Sequence, residues 1–364
     1  MVHYPHRRRH QHKHVVFGVE RKIDIPADQF PSIEQLDIME APLTDNGCQH
    51  GWFDSVYNKL QLHYRKFLPK NSNPRGIVIF MHGLQSQSGV AYVLHQSEDD
   101  PRSPRRVDMA LLSHDYVQQG FAVYAFDLIG HGYSEGNRHV MPSARVLIQD
   151  YVNFVHLVTS FHPPNTPLFL AGESLGGNLT LHVARYFQDH PEQTPPGFQG
   201  MVLFSPAIFP HTMYAPIQFC LWLLVTLLPF FRKLRPPSCI PSPVAPHRIW
   251  SDPERIELGK RDNVVVPKNQ HPPYQTLHTL CVLMRQVRAQ IIPGLTVPFC
   301  VVHGAKDLAI PVVGVEFLLQ TASTHSNDCA HQIYPEALHD LLAEPEAEDV
   351  VKCTIDWIHQ RLCI

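Results

Sequence analysis

The order of apolar and polar positions divides the chain into two alternating kinds of segment and one long interruption. Short apolar runs at 60–67, 76–81, 122–127, 168–171, 201–204, 298–302 and 330–334 have the length of strands. From the third to the sixth they are apolar at almost every position, as parallel strands buried on both faces are. Between and after them lie segments at 144–160, 177–188, 276–290, 312–321 and 347–361 in which apolar residues recur every three or four positions, the spacing of one helix face. Strand and helix patterns in alternation predict an α/β fold with a mostly parallel central sheet and helices on both faces.

From Pro206 to Pro293 the alternation stops. This stretch is rich in proline and holds a mostly apolar run at 217–228, followed by Pro229 and the basic Arg232, Lys233 and Arg235. The run is shorter than the about 20 residues a helix needs to cross about 30 Å of hydrocarbon, so it predicts an insertion over the sheet, not a membrane span. A charged stretch at 96–106 with two prolines predicts a surface loop. The expected plan is a basic, histidine-rich arm and lead-in at 1–45, a first part of the core at 46–208, a cap at 209–292 and a second part of the core at 293–364.

Composition narrows the function. With 44% hydrophobic and 17% charged residues the chain has the material for a buried core. Its 30 Lys and Arg against 33 Asp and Glu give a net charge of -3, which builds no field to gather nucleic acid. The eight cysteines form no C-x-x-C pair, and some lie in apolar runs such as Phe299-Cys300-Val301, so free buried thiols are expected in place of a disulfide framework. The opening MVHYPHRRRHQHKH lacks the apolar stretch of a secretory leader and reads as a solvated arm, with metal or anionic-lipid binding as its alternative. A cytoplasmic location is expected.

The strongest chemical signal is Gly172-Glu173-Ser174-Leu175-Gly176-Gly177, a G-x-S-x-G that follows an apolar strand and opens a helix. A serine at such a turn is held at strained backbone angles with its hydroxyl at the sheet edge, and it needs a histidine base oriented by a carboxylate. The order serine, acid, histidine places the acid at Asp307, just past the strand at 298–302, and the base at His339, after the strand at 330–334. Asp328 and Asp340 compete for the acid's role, and His303, His325 and His331 for the base's. The turn His82-Gly83-Leu84 after the strand at 76–81 offers the backbone N–H of Leu84, beside that of Leu175, to a developing oxyanion. No metal and no cofactor is required.

These residues resemble the monoacylglycerol lipase and lysophospholipase branch of the α/β-hydrolase superfamily, the serine aminopeptidase S33 type, over about residues 48–364. The likeness rests on Met81-His82-Gly83 with Ser88, on Phe126-Asp127-Leu128-Ile129-Gly130-His131-Gly132-Tyr133-Ser134-Glu135-Gly136, on the serine turn, on Leu295-Thr296-Val297-Pro298 leading to His303-Gly304 and Asp307, and on His339. It implies an α/β-hydrolase fold, a serine esterase acting on lipids with one acyl chain, and a cap between the sixth and seventh strands of the family's sheet. Phe219, Trp222 and Leu223 are then candidates to hold the acyl chain, and the neighbouring basic residues suit peripheral contact with a membrane; simple packing of the cap onto the core is the alternative. Gln85-Ser86-Gln87-Ser88 and Val90 stand where glycerol-recognising members carry a G-E-H-S-type sequence and an arginine, so two polar contacts to a glycerol headgroup are not expected. Two other readings stay open: an acyltransferase or peptidase on the same fold, and a non-catalytic protein that binds a membrane or partner.

Overall fold

The computed structural model describes residues 12–16, 19–23, 48–70, 73–94, 104–210, 215–237, 242, 244–253, 255–256 and 271–362. Eight strands form the main sheet: β1 (Gln49–Asp54), β2 (Gln61–Phe67), β3 (Gly76–Met81), β4 (Phe121–Phe126), β5 (Leu168–Glu173), β6 (Phe198–Phe204), β7 (Phe299–Gly304) and β8 (Cys329–Tyr334). Their order is β8-β7-β6-β5-β3-β4-β2-β1. The first two are antiparallel to their neighbours and every other pairing is parallel. The chain crosses over β3 between β4 and β5, so a crevice opens at the C-terminal ends of β3 and β5, where α/β sheets bind their ligands.

Among the described residues, seven α-helices of nine residues or more accompany the sheet: α1 (Asp108–Gln118), α2 (Ala144–Thr159), α3 (Leu175–Asp189), α4 (Ala215–Leu227), α5 (Tyr274–Gln286), α6 (Val313–Thr321) and α7 (Ala347–Leu362). The strand period of two sends alternate residues to opposite faces. Ile77, Ile79 and Met81 of β3 join Tyr151, Phe154, Leu179 and Val183 in one core, whereas Val78 and Phe80 join Met109, Leu112, Tyr116, Val351 and Ile355 in the other. Each buried side chain of this size contributes roughly 1.5–3 kcal/mol, so both helical layers are held by the same strands.

The fold is therefore the expected one. β1 and α1 were not anticipated, although Met109, Leu112 and Tyr116 of α1 carry helical spacing. The stretch at 96–106 is not a single loop: Pro104–Val107 pairs antiparallel with Val90–Leu94, and 95–103 lie outside the described residues. Of the basic arm, His12–Val16 and Val19–Ile23 form a separate hairpin, and the remainder lies outside the described residues, as do Cys239 and Cys363. The other six cysteines are free; Cys48, Cys281 and Cys300 are buried, but Cys220 is exposed.

Between β6 and β7, α4 packs through Leu221 and Val225 onto Leu277 and Cys281 of α5. The helix expected at 276–290 is α5 followed by a wide π turn at Val287–Ile291. At this exit Arg185 of α3 donates through Nη1 to the carbonyls of Gln290 (3.1 Å), Ile291 (3.0 Å) and Pro293 (2.8 Å), while its Nε bonds Asp189.

Several histidines are buried in neutral form. The rings of His82, His131 and His139 lie in a row, with centroids 5.4 and 5.0 Å apart, and each is at most 1% exposed. Burial pulls His131 down to about 3 and His182 to about 4, and lowers His82 and His139 as well, the pull on His82 being partly opposed by Asp127. Unfolded histidines take protons below about pH 6.5 while these do not, so stability present above that pH is lost as pH falls, by up to about 1.4 kcal/mol per unit for each group. The urea midpoint is expected to drop steeply between about pH 6.5 and 4.5; a flat midpoint would mean that these rings are solvated or charged in the fold.

Candidate active site

Ser174 occupies the single position between the end of β5 and the start of α3, at φ 53° and ψ −116°. A non-glycine residue enters such a region at a cost of about 1–3 kcal/mol, so the surroundings must impose it. Its N–H donates to Phe204 O at 2.9 Å, and its carbonyl accepts from the N–H groups of Asn178 (3.1 Å) and Ala207 (2.9 Å). Space dictates the flanking glycines: a Cβ on Gly176 would lie 2.0 Å from Met81 O, and one on Gly172 would lie 2.4 Å from Gly176 O. The serine turn can seat against the end of β3 only without those side chains.

Asp307 follows β7 and His339 follows β8, on the same rim of the sheet as Ser174. His339 Nδ1 lies 2.6 Å from Asp307 Oδ2. The other oxygen, Oδ1, accepts from the backbone N–H groups of Ala309 (2.7 Å) and Ile310 (2.8 Å). Burial alone would push the Asp307 carboxyl up, but the charge of His339 and hydrogen bonds from His303 and His339 reverse this and hold it below the usual carboxylate range. Burial likewise pulls His339 down, and Asp307, by charge and hydrogen bond, with Asp340 behind it, lifts it above its ordinary value. The structure thus joins the two residues expected as acid and base directly. No hydrogen bond links Ser174 to His339 among the described residues.

The two competing acids have other partners, whereas one competing base touches Asp307 itself. His303 Nε2 is 3.1 Å from Asp307 Oδ2, a second imidazole on the acid that chain order did not anticipate. Asp328 pairs with Arg361 at 2.8 Å, and Asp340 accepts from Trp250 Nε1 at 2.6 Å. The turn carrying Leu84 lies against the serine: a Cβ on Gly83 would be 3.3 Å from Ser174 Cβ, and Gln85 follows at φ 57°. Leu175, the other expected donor, is the first residue of α3.

A buried ionic hub behind this turn was not legible in the sequence. Asp127, 0% exposed, accepts through Oδ1 from Ser88 N and Oγ (both 2.7 Å), and through Oδ2 from Tyr133 N (3.0 Å) and Arg65 Nη1 (3.4 Å), with His63 Nδ1 2.8 Å away. Arg65 Nη1 also donates to Ser88 Oγ at 2.6 Å. Burial would push Asp127 up, yet Arg65 and His63 hold it well below the usual carboxylate range. The loop that leaves the His82-Gly83 turn is therefore tied to the loop after β4. The sequence offered 127–136 only as a segment that carries the family resemblance, and the hub's partners Arg65 and His63 lie on β2, far away in the chain.

Phe219, Trp222 and Leu223 sit on the outward face of α4, at 61%, 45% and 39% exposure, with the first two rings 5.7 Å apart. The face that packs onto α5 uses Leu221 and Val225 instead. Among the described residues no helix is long and apolar enough to cross a membrane. Asn178, of the sequon-like Asn178-Leu179-Thr180, is wholly buried and donates through Nδ2 to Ala207 O at 2.7 Å.

Comparison with known proteins agrees with this architecture. The chain is 28% identical over 293 residues to a monoacylglycerol lipase of Mycolicibacterium smegmatis, covering 80% of this chain and 91% of that one. It is 25% identical over 303 residues to the monoglyceride lipase of Homo sapiens, covering 83% and 88%. A soluble variant of monoglyceride lipase from Saccharomyces cerevisiae, solved with a substrate analogue, superposes with a TM-score of 0.64 at 21% identity, covering 86% of this chain and 94% of that one, a likeness of fold. The family model described as serine aminopeptidase, S33, matches residues 108–346, a span that contains Ser174, Asp307 and His339. By that match and that fold, the chain belongs to the serine aminopeptidase S33 family of α/β-hydrolases.

Proposed function

We propose that the protein hydrolyses carboxylic esters of lipids carrying one acyl chain, with Ser174 as nucleophile, His339 as base and Asp307 as the acid that orients it. The observation that carries this reading is the 2.6 Å contact between His339 Nδ1 and Asp307 on the rim that also bears the strained Ser174. Ser174 Oγ attacks the acyl carbonyl while His339 Nε2 takes its proton, and Asp307 stabilises the imidazolium. The N–H groups of Leu84 and Leu175 receive the oxyanion; one such donor is worth about 2.7–4 kcal/mol. The imidazolium then protonates the leaving alcohol, and a water activated by the same ring releases the fatty acid.

The names of the relatives support a lipid ester as substrate. Residues 209–292, inserted between β6 and β7, serve as the cap. Its outward Phe219, Trp222 and Phe230, the last 67% exposed, beside Arg232 and Lys233, suit an anionic membrane surface, where each basic residue adds about 1 kcal/mol. Such contact would let a lipid pass from bilayer to site.

An alkyl fluorophosphonate probe tests the chemistry: it should label Ser174 and leave Ser174→Ala unmodified, and purified protein should release fatty acid from monoacylglycerol or lysophospholipid with water as acceptor. A folded protein that does not label would refute the triad. Preferential transfer to an added alcohol would make it an acyltransferase. In the same preparation, sedimentation with phosphatidylserine vesicles should fall for Phe219→Ser combined with Trp222→Ser, and unchanged binding would remove the membrane role.

A further inference from the structure

One short segment of the insertion fastens both loops of the acid and base pair. Arg248 donates through Nη2 to the carbonyl of Leu308, the residue after Asp307. Ile249 O accepts from the N–H of Asp340, the residue after His339, at 3.2 Å. Trp250 Nε1 donates to Asp340 Oδ2 at 2.6 Å, and Ser251 N donates to Glu344 Oε1 at 2.8 Å. Glu344 Oε2 in turn accepts from the N–H of Leu338, the residue before His339, at 3.4 Å. The base is bracketed on both sides by contacts that trace back to residues 249–251.

Trp250 is the centre of this arrangement. It is 5% exposed, packs with Ala343, and carries the Arg255 guanidinium 4.3 Å above its ring. Asp340 is 6% exposed, and its Oδ1 finds no hydrogen-bond partner. A buried carboxylate with so few donors is costly to keep, and an indole N–H aimed at it is worth more than at the surface. We infer that Trp250 is a positioning residue for the base, holding Asp340 and through it the backbone that aims the His339 imidazole at Ser174.

The inference rests on His339 being the base, and it adds a function for the insertion that acyl-chain binding does not require. Asp307 fixes one nitrogen of the ring, but the ring can still swing about that bond unless its backbone is held. A displacement of about 1 Å at a catalytic group can cost about 10²-fold in rate. The charged and titratable groups around the pair are Asp307 and His303 from β7 and its loop, Glu344 and Asp340 from the base loop, and Arg248 and Arg255 from the insertion.

Trp250→Phe removes the N–H and keeps a ring for Arg255 to stack on. It should lower kcat about tenfold or more with KM for the same ester little changed, and speed amide exchange across residues 338–344. Asp340→Asn keeps an acceptor for the indole, so its kcat should stay within a few-fold; it removes a charge that raises His339, so the acid limb of kcat/KM should move to lower pH. Trp250→Phe on an Asp340→Ala background should cost nothing further. Wild-type kcat and wild-type exchange in Trp250→Phe, or additive losses in the double variant, would overturn the role. If the wild-type protein fails to label with a fluorophosphonate, the proposed function falls, and the exchange measurement still decides whether Trp250 holds the loop.

Discussion

Replacing His339 by alanine is expected to lower kcat on an ester by about 10⁴- to 10⁶-fold, leaving on the order of 10³-fold over water from the oxyanion donors and substrate binding. The serine hydroxyl is a poor nucleophile at neutral pH, and on the proposed path the imidazole both takes its proton and returns it to the leaving alcohol. Fluorophosphonate labelling should slow in parallel, because it needs the same activated oxygen. The structure supplies a specific rival. His303 Nε2 also reaches Asp307 Oδ2, so a variant that retained near-normal turnover would transfer the base's role to His303. Steady-state kinetics of the two alanine variants side by side separates these outcomes.

The second large effect is on stability. Asp127→Ala should destabilise the fold by about 3–5 kcal/mol, because removing one member of a buried ion pair takes the opposite charge away from the other. Arg65 is 1% exposed and cannot turn to solvent, and the N–H groups of Ser88 and Tyr133 lose their acceptor at the same time. Against a typical total of about 5–15 kcal/mol, this is a large part of the whole. A fall in Tm of about 4–7 °C is expected by circular dichroism for a chain of this length, with part of the protein insoluble on expression. A change of only a degree or two would mean that water or a neighbouring group neutralises Arg65. Surviving folded protein should also label slowly at Ser174, since Ser88 anchors the loop that leaves the His82-Gly83-Leu84 turn proposed to hold the oxyanion.

The parts of the molecule legible in the sequence are those where local chemistry and chain order agree. Continuous apolar runs marked β4 to β7, because a strand covered on both faces leaves no room for polar positions. The serine turn was legible because a strand end, a helix start and two spatially necessary glycines coincide within a few residues. Asp307 and His339 were found by their place after successive strands, and they do meet. What escaped has a common cause: it depends on pairs of residues far apart in the chain. β1, with only two of its residues buried, shows no strand period, and it owes its place to pairing with β2. The Arg65–Asp127–His63 hub joins β2 to the loop after β4, and nothing local in either segment names its partner. Phe219, Trp222 and Leu223 were picked out as candidates to hold the acyl chain, but their outward placement was not legible, since a mostly apolar helix does not reveal which side is covered.

The anchoring of the π turn by Arg185 bears on how the insertion can move. Arg185 stands ten positions after Leu175 on α3, the helix that begins directly after Ser174, and at about 1.5 Å per residue that is roughly 15 Å of unbroken helix. Three carbonyls at the exit of the insertion are moored to that rod. A swing pivoting at this exit would have to break those three hydrogen bonds or carry α3, and with it Ser174, along. With 209–292 as the proposed cap, long acyl chains would enter by movement of the limb that leaves β6, the limb that enters β7 standing as a fixed doorpost.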